Sequence, residues 1–442
     1  MMCLTASGSH TGHGTDSRRK AQADLGHAGV PGNDSRATAL DDLRRCQPEE
    51  TRRVECASPP APDRFHKVSY RVRDLVPRSG SRYSVFSAIF SPMSPELSIP
   101  DQFRRQAGWC ERLGSPLYSH LFSRCADDYE QSGPVHDLLR THESDAESSA
   151  LPLRLAGTIH RLVLEGREVE LARFYPSVGG TVELNGAWQA FRNVIRERRE
   201  SVGRLVQNPV QTNEVGRSGS LLGGFGLIAD RTRLPLRLLE IGTSAGLNLR
   251  WDRYRYEWPG GAWGDAASSV RIENVFVGQP PLLPSTIDVI ERAGCDPCPV
   301  DIGSESGRLT LLSYTWADQL ERIHRLEAAL EIGCTVPCTV EKEHGADWIE
   351  ERLRKPFSGA ATVVFHSAVW QYISEPEKQR IITAIEDAGK RASPQAPVAW
   401  LRMEAPINKF EIRLRIDPGF EEQIIATSRA HAPAVRWLIG PR

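Results

Sequence analysis

The sequence predicts an α/β protein in which an all-helical region leads into a Rossmann-like, mostly parallel sheet. Three observations predict it. From about Asp101 to Asp230 apolar residues recur at three- and four-residue steps with no strand-like alternation. After Arg233 short apolar runs alternate with helical or loop stretches, and the first of those runs ends in the glycine-rich turn Gly242-Thr-Ser-Ala-Gly246.

Residues 1–92 are rich in Ser, Gly, Arg, Asp and Pro and show no sustained periodicity, so they bury too little to offset the entropy of ordering. They are expected to be a disordered extension, with ordered chain beginning at Met93; a start codon assigned too far upstream would also explain them. Residues 93–230 form the expected helical cap. Leu117, Leu121, Phe122, Cys125 and Tyr129 make one apolar stripe, and Trp188, Phe191, Ile195, Val202 and Leu205 make another. Between them Leu151 to Leu164 is a third helix, closed by Gly166. Residues 231–442 form the sheet domain, with strands expected at Leu236 to Ile241, Thr362 to Phe365, Val398 to Leu401, Ile412 to Ile416 and Val435 to Ile439. The crowding of strands at the end predicts a final antiparallel hairpin.

Composition excludes several partners. The 442 residues carry 55 Lys and Arg against 56 Asp and Glu, so no global field draws the chain to nucleic acid or an anionic membrane, and a small molecule is the expected partner. No apolar run approaches the roughly 18 residues of a membrane span, and the first residues lack a secretory core, which reads as cytoplasmic. The pattern does not fix an oligomeric state. Nine cysteines then read as reduced thiols. Cys295 with Cys298 and Cys334 with Cys338 have a spacing that could serve zinc, but buried free cysteine explains them more simply, and no metal is expected.

The turn after Leu236–Ile241 admits several chemistries. A dinucleotide fingerprint matches at one glycine of three. Gly242 to Gly246 also reads as G-x-S-x-G, the elbow of an α/β-hydrolase, with Ser244 as nucleophile and Asp347, His366 and His431 available as partners. That elbow follows an internal strand, whereas everything before Arg233 reads as helix. A third reading takes Glu240 as the acidic end of the first strand of a class I methyltransferase, its carboxylate suited to the ammonium and sulfonium of S-adenosylmethionine. A fourth is a glycine turn that only packs a following helix, begun at Leu247, against the sheet.

The segments QTNEV (211–215), LLEIGTSAGLNL (238–249), WDRYRY (251–256), WGD (263–265), VVFHSAVWQY (363–372) and WLRME (400–404) resemble an uncharacterised bacterial family catalogued as a domain of unknown function, from about Pro100 to the C-terminus. That family is in turn similar to class I methyltransferases at the Glu240 to Gly246 turn and the Val363 to Tyr372 strand. The resemblance implies a cofactor site at Glu240, Gly242, Ser244, Gly246 and Asn248, with Glu257 or Asp265 as the ribose-binding acid. It implies a role for Asp347 at the adenine amino group, although that residue could equally cap a helix over Trp348 to Arg354. His366, after an apolar strand, is the candidate general base. Trp370, Tyr372, Asn213 and Glu214 would shape the acceptor pocket, and Asn248 and Asp252 would share a helix face. The expected function is S-adenosylmethionine-dependent methyl transfer to a small molecule, the alternatives being a Ser244 hydrolase and a non-catalytic Rossmann-like binding protein.

Overall fold

The computed structural model describes residues 97–145, 149–405, 410–431 and 434–440. The segment expected to be disordered, residues 1–92, and the expected start at Met93 lie outside the described residues.

The helical half contains α1 (Ile99–Arg112), α2 (Pro116–Glu130), α3 (Pro134–Leu139), α4 (Leu151–Leu164), α5 (Val169–Ala172), α6 (Leu184–Glu197), α7 (Arg199–Leu205) and α8 (Arg217–Thr232). Among the described residues it holds no strand. Ser98 and Ser115 start the first two helices by accepting a hydrogen bond from the backbone N–H three residues on, each followed by a proline in the first turn. The stripe from Trp188 to Leu205 breaks into two helices at Arg198 (φ −109°, ψ 23°), yet Phe191 and Val202 still share one core with Phe103, Phe122 and Leu155. Trp316 and Ala317, from the second half of the chain, complete that core.

The second half begins with β1 (Leu236–Ile241), β2 (Arg255–Trp258), β3 (Gly261–Trp263), β4 (Arg271–Ile272) and β5 (Val289–Asp296). After α9 (Glu305–Ser313) and α10 (Leu320–Thr335) come β6 (Thr339–Lys342), α11 (Gly345–Arg352), β7 (Ala361–Ser367), α12 (Glu375–Lys390), β8 (Val398–Glu404), β9 (Phe410–Asp417), β10 (Phe420–Ser428) and β11 (Arg436–Trp437). One eight-stranded sheet runs β11-β10-β9-β8-β7-β1-β5-β6, and a small sheet runs β3-β2-β4. From β6 to β8 all pairs are parallel; β9, β10 and β11 extend the sheet as an antiparallel meander. Strand alternation divides the apolar residues between two faces. Leu238, Val363, Phe365 and Leu401 join the core with Phe225 of α8, whereas Leu239, Ile241, Val364 and Trp400 pack with Trp348 and Ile349 of α11 and Ile381 and Ile385 of α12.

The order β6-β5-β1-β7-β8 places the second and third parallel strands on one side of β1 and the fourth and fifth on the other. In such sheets the crevice at the carboxyl ends of the two strands where the order reverses, here β1 and β7, is where ligands bind.

Two expectations are corrected. The helix expected from Leu247 is a short 3-10 segment, Asn248–Arg253, with Arg250 outside helical φ/ψ, and the chain turns at once into β2. Aromatic anchoring accounts for this: Trp251 stacks on Phe225 at 4.3 Å, and the Tyr254 and Tyr256 hydroxyls donate to the carbonyls of Leu247 and Trp251. Asn248 and Asp252 therefore serve different partners, the Glu214 carbonyl and the Arg292 guanidinium. The second correction is strands without an apolar signal. β5 carries Glu291 and Arg292, which pair with Arg237 and Asp252; β6 is a short edge strand; and the first half of β10 is largely exposed.

Arg250 is the internal pin of this region. Buried, it donates to the carbonyls of Gly246 (2.8 Å), Val336 (2.7 Å) and Gly333 (3.0 Å), tying the β1 turn to the C-terminal end of α10, where carbonyls lack helical partners. Arg250→Met should cost about 3 kcal/mol or more, because it leaves several buried carbonyls unpaired. Denaturant unfolding measures this, and a loss under about 1 kcal/mol would contradict the pinning role.

Candidate functional site

Three residues of the β1 turn have left-handed backbone: Gly242 (φ +71°), Ser244 (φ +54°) and Gly246 (φ +72°). The backbone N–H groups of Gly242 and Thr243 donate to the Cys295 carbonyl near the end of β5. The glycines are also sterically required. A Cβ on Gly242 would lie 2.4 Å from Val369 Cγ2, and one on Gly246 would lie 2.8 Å from Cys338 Sγ. Packing alone thus explains the two glycines.

The polar segment before α8 docks onto this turn. The Ser244 hydroxyl donates to Gln211 Oε1 (2.8 Å), the Leu247 N–H to Asn213 Oδ1 (2.9 Å) and the Asn248 amide to the Glu214 carbonyl (3.3 Å). Glu214 is itself buried and accepts from Arg322 of α10 at 2.6 Å. Burial works to raise its carboxyl, but Arg322, with His431, Arg325 and Arg217, outweighs burial and holds it down at about 2.

Two further acids end neighbouring strands. Glu240 is the penultimate residue of β1 and Asp296 the last residue of β5, both buried. Burial pushes the Glu240 carboxyl up to about 8, and Asp296 adds repulsion against the opposing Thr243 hydroxyl, Arg217 and Arg250. Burial also raises Asp296, against the N–H groups of Cys298 and Ser244 that it accepts from at 2.9 and 3.0 Å. Among the described residues neither carboxyl has an ion-pair partner.

Across the reversal point, β7 ends in His366 and Ser367. His366 is fully buried; its Nδ1 lies 2.7 Å from Glu404 Oε1 and its Nε2 lies 3.2 Å from the Trp400 indole nitrogen. An indole N–H can only donate, so Nε2 accepts and Nδ1 carries the proton given to Glu404. Trp370 stacks on the ring at 4.8 Å, and Glu404 Oε1 also accepts from the Val369 N–H. Arg217, at the start of α8, donates to the Ser367 carbonyl at 3.2 Å, and burial lowers its pKa. Next to this cluster lies a cavity of about 330 Å³, whose walls include Trp370, Arg402, Glu404, Phe410 and Arg413.

The family described as an uncharacterized protein conserved in bacteria (DUF2332) matches residues 100–437, from α1 to β11. The chain belongs to this family. No curated protein and no solved structure matches it.

In this DUF2332 member the structure brings together Asn213, Glu214, Glu240, Gly242, Ser244, Gly246 and Asn248 around one turn, and His366 with Trp370 beside the cavity. It sets the other predicted residues elsewhere. Glu257 lies on β2 of the small sheet, bonded to Arg255 and Arg271. Asp265 accepts from Ala267 N–H in an exposed turn. Asp347 neither caps α11 nor faces inward; it pairs with Arg380 on the surface, and Tyr372 is exposed. His366 has no free nitrogen to act as a base, because Glu404 and Trp400, close only in the folded chain, take both.

The hydrolase constellation does not assemble either. Ser244 has the left-handed backbone an elbow needs, but its hydroxyl is bonded to Gln211; of the candidate partners, His366 is engaged as above, Asp347 is paired with Arg380 on the surface, and His431 packs edge-on against Trp316. Among the described residues no group of three or more His, Cys, Asp or Glu is placed to hold a metal ion, and no helix is long and apolar enough to cross a membrane.

Sequence reasoning missed Asp296 and gave Glu404 no role. Asp296 ends the charged β5, which lacks an apolar signal, although it adjoins Cys295 in the sequence. Glu404 stood in WLRME without a visible partner.

Two tests address the turn. Gly242→Ala should destabilise the protein by about 2–4 kcal/mol, from left-handed strain and the Val369 contact, and Val369→Ala in that background should restore part of the loss. Equal loss in single and double variants would show that the contact with Val369 is not what demands glycine. The raised Glu240 value gives a pH signature of definite sign. The native chain binds the extra proton between the ordinary carboxylate range and about pH 8, so this contribution is whole at acid pH and is lost as pH rises through about 8. Glu240→Gln should remove a slope of up to about 1.4 kcal/mol per pH unit in unfolding free energy over that window. Parallel wild-type and variant curves would refute it.

Proposed function

We propose that the carboxyl edge of β1 and β5 holds S-adenosylmethionine and that the protein methylates a small molecule. The observation that carries this reading is the pair Glu240 and Asp296. Both are buried acids on neighbouring parallel strands beside the point of strand reversal, and neither has an ion-pair partner among the described residues. Buried carboxyls left without a cation are costly, and a ligand bearing ammonium and hydroxyl groups offsets that cost. Glu240 would face the ammonium and Asp296 the ribose hydroxyls. When bound, this cofactor supplies an electrophilic methyl carbon on a sulfonium.

The chain's own residues would then contribute positioning more than proton transfer. Gln211, Asn213 and Glu214 hold the turn rigid from the helical side, which also excludes water from it. Glu404, oriented by His366 and the Val369 N–H, is the group at the cavity able to accept a proton from an acceptor.

Calorimetric titration of the full chain with S-adenosylmethionine and S-adenosylhomocysteine tests the reading. Both should bind, and Glu240→Ala or Asp296→Asn should each weaken binding about tenfold or more. Because the free Glu240 carboxyl holds its proton at neutral pH, binding of the cation should release up to about one proton at pH 7, seen by comparing buffers of different ionisation enthalpy. No binding at millimolar cofactor would end the proposal.

A further inference from the structure

We propose that the cavity beside β7 and β8 is a binding site for a compact organic amine in its ammonium form, with Glu404 as the counter-ion and Trp370 and Phe410 as aromatic walls. The argument is one of charge. Four ionic side chains line the cavity: Arg402, Arg413, Glu404 and Glu411. Arg413 bonds to Glu411 at 2.7 Å and reaches Glu422, while Arg402 pairs with Glu422, so the two arginines are already neutralised by partners of their own. Glu404 is not.

Both hydrogen bonds to Glu404, from His366 Nδ1 and the Val369 N–H, fall on Oε1; among the described residues Oε2 accepts none, and the side chain is 18% exposed. Arg217 and Arg402 lie near enough to feel this charge, but neither forms an ion pair with it among the described residues. A carboxylate at the wall of a cavity that also presents an indole and a phenyl ring is the chemistry that recognises an ammonium, through Coulomb attraction and the negative faces of the rings. About 330 Å³ suits a small amine, at the lower end of ligand-pocket size. A carboxylate ligand would have to displace Glu411 or Glu422 from an arginine. The site stands on the cavity alone; joined to the reading above, Glu404 would first take a proton from the bound ammonium, and the freed nitrogen lone pair would then take the methyl group as S-adenosylhomocysteine leaves.

The test compares three probes of similar shape on the full chain, by calorimetry and tryptophan fluorescence, with and without S-adenosylhomocysteine: phenethylammonium, 2-phenylethanol and 3-phenylpropionate. Phenethylammonium should bind about tenfold tighter than the alcohol, and the carboxylate no tighter than the alcohol. Glu404→Gln, which can still accept from His366 and Val369, should abolish the preference for the cation. If that variant fails to fold, Phe410→Leu should weaken the ammonium more than the alcohol. Equal binding of ammonium and alcohol, tightest binding of the carboxylate, or an unchanged preference in the substituted proteins overturns the assignment. Ammonium preference without any S-adenosylmethionine binding would sink the cofactor reading and leave this one standing; cofactor binding without ammonium preference does the reverse.

Discussion

The β1 turn enters left-handed backbone three times in five residues, and the structure around it is organised to hold it there. Ser244 is the demanding position, because it has a Cβ to accommodate at φ +54°. Its hydroxyl and its N–H are both engaged, by Gln211 and Asp296, so the strain is met from the helical side and from the neighbouring strand. Helix α10 closes the arrangement. Its Arg322 holds Glu214 in place, and the carbonyls at its C-terminal end receive Arg250, whose other hydrogen bond goes back to the turn at Gly246. The two halves of the chain therefore share polar contacts as well as the core completed by Trp316.

This dependence explains which parts of the molecule could be read from sequence. β1, β7 and β8 are buried on both faces and appear as continuous apolar runs, and α4 appears with its closing glycine, since in each the local pattern and the tertiary environment agree. β5 is buried at its carboxyl end and yet carries Glu291 and Arg292, whose charges are answered by Arg237 and Asp252 from elsewhere. No pattern within eight residues reports those partners. Without an apolar signal for β5, Asp296 does not read as a strand end, and Glu257 and Asp265 are the acids the sequence offers in its place. The segment after Gly246 failed for a related reason: its polar and apolar spacing suits a helix, while three aromatic side chains anchor it as a turn and strand.

His366 shows the same limit at a single residue. Its place at the carboxyl end of a parallel strand was legible, and that place is where sites occur. Its chemistry was not, because the partners of both ring nitrogens come from β8, more than thirty residues later. With the proton fixed on Nδ1 and directed at Glu404, the histidine orients a carboxyl group, and the group that lines the cavity is that acid rather than the ring.

The two sides of the strand reversal are thus unlike. On the β1 and β5 side two acids are enclosed, one of them with a carboxyl raised to about 8, and the glycines around them are filled by Val369 and Cys338. On the β7 and β8 side the Glu404 carboxyl, 18% exposed, lines a cavity together with Trp370 and Phe410. A chain that only had to fold would gain stability at neutral pH by replacing Glu240 with an uncharged residue of similar size, since a buried acid without a cation costs free energy that a total of about 5–15 kcal/mol does not readily spare. A ligand that brings positive charge to that edge removes the cost, which is the physical reason to regard the enclosed acids as part of a site. Val369 joins the two sides, packing its side chain on Gly242 and giving its N–H to Glu404, so a ligand that moved it at one carboxylate would be felt at the turn that holds the other.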